Sequence, residues 1–136
     1  MSDSARPLIY IAGPFRASTP WEIEQNVRRA EEHGLWVAKL GGIPLVPHTM
    51  YRFYQNSLPD AFWLEAGLAL LRSCNAVAVA CSKTRAFDSK GTVGEIADAK
   101  MRNVRVFYGR YPDEMDDAAS AAFVGWIETW IRERTK

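Results

Sequence analysis

Leu8-Ile9-Tyr10-Ile11-Ala12-Gly13-Pro14 is a short, apolar, β-branched run that halts at a glycine and a proline. A strand with one wet face would alternate apolar and polar residues. This one does not, so it reads as a strand covered on both faces, as in a parallel sheet. Parallel strands need crossovers, and Thr19-Pro20-Trp21-Glu22 opens one, with an N-cap, a proline at the first helical position and a glutamate three residues after the cap. Ile23, Val27, Ala30, Val37 and Leu40 keep helical spacing, while Glu24, Arg28, Arg29, Glu31 and Glu32 lie off that stripe. Gly41-Gly42 closes the helix, and Ile43-Pro44-Leu45-Val46 resumes as a strand whose proline suits an edge.

Residues 49–59 are polar and aromatic without a period and read as a loop with one helical turn. Residues 60–73 read as a helix, 75–81 as a buried strand, 82–90 as a polar loop, 91–103 as a helix and 104–108 as a strand. From about Glu114 a last helix is expected to turn Ala119, Ala122, Phe123, Trp126, Trp130 and Ile131 to the core. Its basic end, Arg132, Arg134 and Lys136, suits the helix dipole. Strand and helix alternate four times with no hairpin signal, which makes right-handed crossovers the expectation. The fold class is α/β: a small doubly wound parallel sheet of four to five strands, Rossmann-like or flavodoxin-like, with helices on both faces and one domain over residues 1–136.

Composition narrows the function. At 136 residues and 48% hydrophobic the chain can bury a core without staples. Seventeen Lys plus Arg against sixteen Asp plus Glu leave a net charge of +1, too little field to hold a nucleic-acid polymer or an anionic membrane. Cys74 and Cys81 are too few for a disulfide framework and lack zinc-ligand spacing, so they read as core residues, with no metal expected. Residues 1–7 carry no apolar leader, and no run approaches the ~20 apolar residues of a membrane span. A reduced, cytoplasmic setting is expected.

In an open α/β sheet the ligand crevice lies beyond the carboxyl ends of the strands. Gly13-Pro14-Phe15-Arg16, Pro47-His48, residues 82–91 and Gly109-Arg110 meet there. Neither a G-x-G-x-x-G fingerprint nor a P-loop is present. Gly13 allows close backbone approach, and Arg16 either forks onto a phosphate or carboxylate or lies solvated. Asp88-Ser89-Lys90-Gly91-Thr92-Val93-Gly94-Glu95 sits just before and into a helix, where Ser89, the amides and the helix dipole can hold an anion. Glu95 then faces the crevice from the first turn, or else completes a capping box with Thr92.

Between Ala61 and Leu71 only Glu65 is polar, so it either works in a pocket or pairs at an interface. A helix apolar all round points to self-association, as a homodimer or homotetramer. His48 is a candidate substrate ligand or a structural turn residue. Tyr51, Phe53, Tyr54 and Phe87 either stack on a base or line an interface.

Leu8 to Arg16, Asn26, Gly42 to His48, Leu64-Glu65-Ala66-Gly67, Ser73 to Val77 and Ser89-x-Gly91-x-x-x-Glu95 together resemble the nucleoside 2-deoxyribosyltransferase-like superfamily, closest to its short bacterial and phage members. The likeness runs from about Leu8 to Tyr108. It implies N-glycosidic bond cleavage or transfer on a nucleoside or nucleoside 5'-monophosphate, without a cofactor. Glu95 matches the family nucleophile and Tyr10 the tyrosine that orients it. Ser89 matches a serine that binds the 5'-phosphate in the monophosphate hydrolases, and Arg16 a phosphate-binding arginine. The family's base-protonating aspartate falls near Ala66, so its role would pass to Glu65, and Asn75 stands where an aspartate is common. The competing reading is a non-catalytic nucleotide-binding module on the same fold.

Overall fold

In a computed structural model, which describes residues 4–135, β1 (Leu8–Ala12), β2 (Ile43–Leu45), β3 (Ala76–Val79) and β4 (Arg105–Tyr108) form one parallel sheet in the order β2-β1-β3-β4. Met1–Asp3, part of the segment read for a leader, and Lys136 of the basic helix end lie outside the described residues. The helices are α1 (Pro20–Lys39), α2 (Pro47–Tyr54), α3 (Asp60–Leu71), α4 (Lys83–Phe87), α5 (Lys90–Met101) and α6 (Asp117–Arg134). The proline-bearing β2 is an edge strand, and β1 is paired on both sides, Ile9 opposite Pro44 and Ala76.

Because side chains alternate across a strand, β1 divides its residues between two cores. Ile9 and Ile11 join Ala30 and Val37 of α1 and Phe123 and Ile127 of α6 on one face. Tyr10 and Ala12 join Leu71 of α3 and Ile96 and Ala99 of α5 on the other. This is the doubly wound α/β arrangement. Asn75 ties the start of the pairing together: its Oδ1 accepts from Leu8 N at 2.9 Å and its own amide donates to Leu8 O at 2.7 Å. Cys74 and Cys81 are buried free thiols, which burial pushes up to about 12 and about 11 respectively.

Three local expectations are corrected. Residues 47–54 form two full turns of helix rather than a loop with one turn, because Arg52 reaches back to α1 and bonds Glu24 at 3.0 Å and Glu31 at 2.8 Å. Those ion pairs, which hold both carboxyls below their usual range, supply a tertiary anchor that no local period shows. The polar stretch 82–90 contains the single-turn α4, whose N-cap Ser82 accepts from Arg85 N at 3.3 Å. The last helix starts at Asp117, where Asp116 caps it by accepting from Ala119 N at 2.7 Å. Its core-facing stripe therefore contains Ile127, and Ala122 is exposed.

Candidate active site

Strand order reverses between β1 and β3, and beyond their carboxyl ends opens a cleft of about 1060 Å³. Its floor lies on one face of β1. Tyr10 belongs to the face of β1 that carries α3 and α5, is almost wholly buried, and donates its hydroxyl to Glu95 Oε2. Burial first, and then the charge of Glu95, hold the Tyr10 phenol above its ordinary range. The half-buried Glu95 carboxyl is pushed up to about 7 by loss of solvation, with the Tyr10 bond acting in the opposite direction.

The capping question is settled by Ser89. Its hydroxyl oxygen accepts from Thr92 N at 3.4 Å and from Thr92 Oγ1 at 2.8 Å, so Ser89 is the N-cap of α5 and Thr92 lies inside the first turn. Glu95 consequently stands in the second turn of α5, not the first, and its carboxylate meets Tyr10 instead of a cap amide.

Gly67 of α3 closes the floor. A methyl there would lie 3.1 Å from Tyr51 Oη, 3.4 Å from Tyr10 Oη and 3.7 Å from Glu95 Oε2. The approach to Tyr51 Oη is tighter than ordinary contact, while the other two are ordinary contacts. Gly67→Ala should raise helix stability by about 1 kcal/mol at most, since alanine is the better helix former, while pushing the Tyr51 hydroxyl aside by a few tenths of an ångström. We expect an unchanged or higher melting temperature together with weaker ligand binding; a variant that binds and turns over like wild type would remove Gly67 from the site.

The walls are aromatic. Phe15 meets His48 and Tyr51 edge-on, with centroids 6.0 and 5.7 Å apart, and Tyr51 meets Trp63 at 5.6 Å. His48 is buried and kept neutral by that burial; both acceptors at its Nε2 are carbonyls, so Nε2–H donates to Gly13 O at 3.0 Å and Pro14 O at 3.2 Å. With Asn26 Nδ2 donating to Phe15 O at 3.1 Å, it pins the loop after β1. His48 thus lines the cleft as a wall and positioning residue, with its ring N–H already engaged.

At the mouth Arg16 is ion-paired with Asp60 of α3, both more than half exposed. Asp88 is exposed beside the N-terminus of α5, and an added Cβ on Gly91 would meet nothing within 4 Å, so that helix end faces open space. Three cations that sequence reading left aside line the same cleft: the exposed Lys90 at the start of α5, and Arg29 of α1 and Arg85 of α4. The two arginines lie deeper. Both are half-buried, and among the described residues neither is in an ion pair; Arg29 donates only a 3.4 Å bond to Asn26. Each acts electrically on the Cys81 thiol, which places both guanidinium groups near the end of β3. The available signal was the i, i+3 spacing of Asn26 and Arg29, which puts them on one side of α1.

Glu65 is the main correction. It is exposed and outside the cleft. At 100° per residue it stands about 200° around α3 from Gly67, so a helix that presents Gly67 to the site turns Glu65 away. Phe53, Tyr54 and Phe87 are likewise exposed and outside the cleft, leaving Tyr51 as the one aromatic of that group at the site. Among the described residues no three His, Cys, Asp or Glu side chains gather as a metal ion would require, and no helix is long and apolar enough to cross a membrane.

A family model described as a domain of unknown function, DUF7768, matches residues 7–109. The chain belongs to that family. The match begins just before β1 and ends just after β4, so the DUF7768 domain contains every cleft residue named above and leaves α6 outside. No curated protein matches the chain.

Proposed function

We propose that this DUF7768 chain cleaves or transfers the N-glycosidic bond of a nucleoside or nucleoside 5'-monophosphate. The observation that carries the reading is Glu95, a half-buried carboxylate held by a buried tyrosine hydroxyl at the floor of an aromatic-walled cleft. A carboxylate so placed can attack an anomeric carbon: its oxygen bonds to C1', the C1'–N bond breaks, and the bonding pair leaves with the base. Water or a second base then displaces the carboxylate, giving hydrolysis or transfer. The reaction as written needs neither metal nor cofactor.

The likeness to the nucleoside 2-deoxyribosyltransferase-like superfamily supports the same assignment of Glu95 and Tyr10. The phosphate of a monophosphate fits the α5 N-terminus and the uncommitted guanidinium groups of Arg29 and Arg85 better than Arg16, which Asp60 already occupies. Self-association through α3, as a homodimer or homotetramer, is supported by Phe62 and Leu64, 47% and 59% exposed on that helix.

A second reading, a nucleotide-binding module without catalysis, draws on one observation: the carboxylate expected to protonate the base, Glu65, stands on the far side of α3. Incubation with a panel of nucleosides and 5'-monophosphates, followed by chromatography, separates the two. Release or exchange of free base supports the enzyme, and tight binding without release supports the module.

A further inference from the structure

We infer that Tyr51 donates the proton to the departing base, the role for which Glu65 was expected; this rests on the N-glycosidic reading above. Three oxygens converge on the position that a Cβ on Gly67 would take, and each has a different commitment. Tyr10 gives its proton to Glu95, and Glu95 is the nucleophile. The Tyr51 hydroxyl makes only a long 3.3 Å bond to the carbonyl of Trp63, so a ligand can claim its proton without breaking the nucleophile's support.

The separation is bounded as well. Tyr51 Oη and Glu95 Oε2 lie 3.1 and 3.7 Å from one point, so they are no more than about 7 Å apart. That bound admits the roughly 5 to 5.5 Å between acid and nucleophile in retaining glycosidases. Contacts with Phe15 and Trp63 hold the ring, so the hydroxyl is presented from a fixed axis. Burial, followed by the charge of Glu95, pushes the phenol up to about 12, which keeps its proton in place at neutral pH. Of the other proton carriers in the lining, His48 Nε2–H is bonded to two carbonyls, Asp60 to Arg16 and Glu22 to Thr19, while Asp88 is exposed at the mouth beside the N-terminus of α5 and away from the floor.

The protons balance over two steps. As Glu95 bonds to C1' and the base takes the C1'–N pair, the Tyr51 proton moves to the base and leaves a phenolate. When water attacks C1' and frees Glu95, its proton returns to Tyr51. One residue acts as acid and then base, as in retaining glycosidases.

The test compares Tyr51→Phe with wild type on the nucleotide most readily cleaved in the panel and on the p-nitrophenyl glycoside of the same sugar phosphate, whose leaving group needs no proton. The expected result is at least about a hundredfold loss of kcat on the nucleotide and less than about threefold on the nitrophenyl substrate. Retained nitrophenyl cleavage also reports an intact fold and nucleophile. Equal losses on both substrates, or no loss on either, overturn the donor role while leaving the enzyme reading in place. If wild type cleaves neither, the N-glycosidic reading fails and the donor role with it.

Discussion

Replacing Glu95 with glutamine should abolish base release and at the same time stabilise the protein. The amide keeps the shape and still accepts the Tyr10 hydroxyl, but it cannot form a glycosyl ester, so turnover should fall by at least about a thousandfold. Stability moves the other way because the native site disfavours the ionised carboxyl, raising its pKa from 4.5 to about 7. Between those values the folded chain keeps a proton that the unfolded chain has released. Stability contributed at this position therefore falls as pH rises through that window, and the full cost persists above it. At about 1.36 kcal/mol per pH unit the cost is about 3 to 4 kcal/mol at most, and residual solvation of a half-buried group brings the expected gain for Glu95→Gln to about 1 to 3 kcal/mol.

Two measurements check this together. Denaturation midpoints of Glu95→Gln and wild type should nearly coincide at pH 4 and diverge by pH 7.5, with the variant higher. The wild-type kcat/KM should rise with pH through an acid limb near 7, since only the ionised carboxylate attacks. A variant less stable than wild type at pH 7.5 would mean that Glu95 is a structural partner of Tyr10 and not a group held ready for chemistry.

The sequence made the sheet legible because each strand carries its own signal. Leu8 to Ala12 is apolar on both faces, Pro44 marks an edge, and Gly13 and the Ser89 to Glu95 stretch mark where a cleft must open. What stayed hidden depends on contacts between distant segments. Arg52 anchors α2 by reaching Glu24 and Glu31 on another element, and a window of eleven residues cannot show that. Glu65 drew notice for its polarity, whereas the helical phase that turns it from the site is set by Gly67, whose meaning rests on three oxygens from three other elements. Arg29 reads as a solvated charge on α1 until Arg85, in a stretch without period, is seen to converge on the same basin. Chemical identity of a site residue was readable, then, wherever strand or cap position alone fixed its direction.

That basin carries the second large effect. Arg29→Ala and Arg85→Ala should each weaken binding of a nucleoside 5'-monophosphate by at least about tenfold and barely change binding of the matching nucleoside. A charge-assisted hydrogen bond contributes roughly 1.5 to 3 kcal/mol, and tenfold corresponds to about 1.4 kcal/mol. Arg16→Ala should cost less. Its guanidinium already holds Asp60 at an exposed site, where such pairs contribute about 0 to 1 kcal/mol, and engaging a phosphate would mean giving that partner up. Among the described residues Arg29 and Arg85 have no carboxylate to release, and they stand half-buried, where a dianion is screened less by solvent. Calorimetric titration of the three variants with one monophosphate and its nucleoside decides the matter. If Arg16→Ala shows the largest loss and the other two bind as wild type does, the phosphate sits at the cleft mouth and the inner basin has another use.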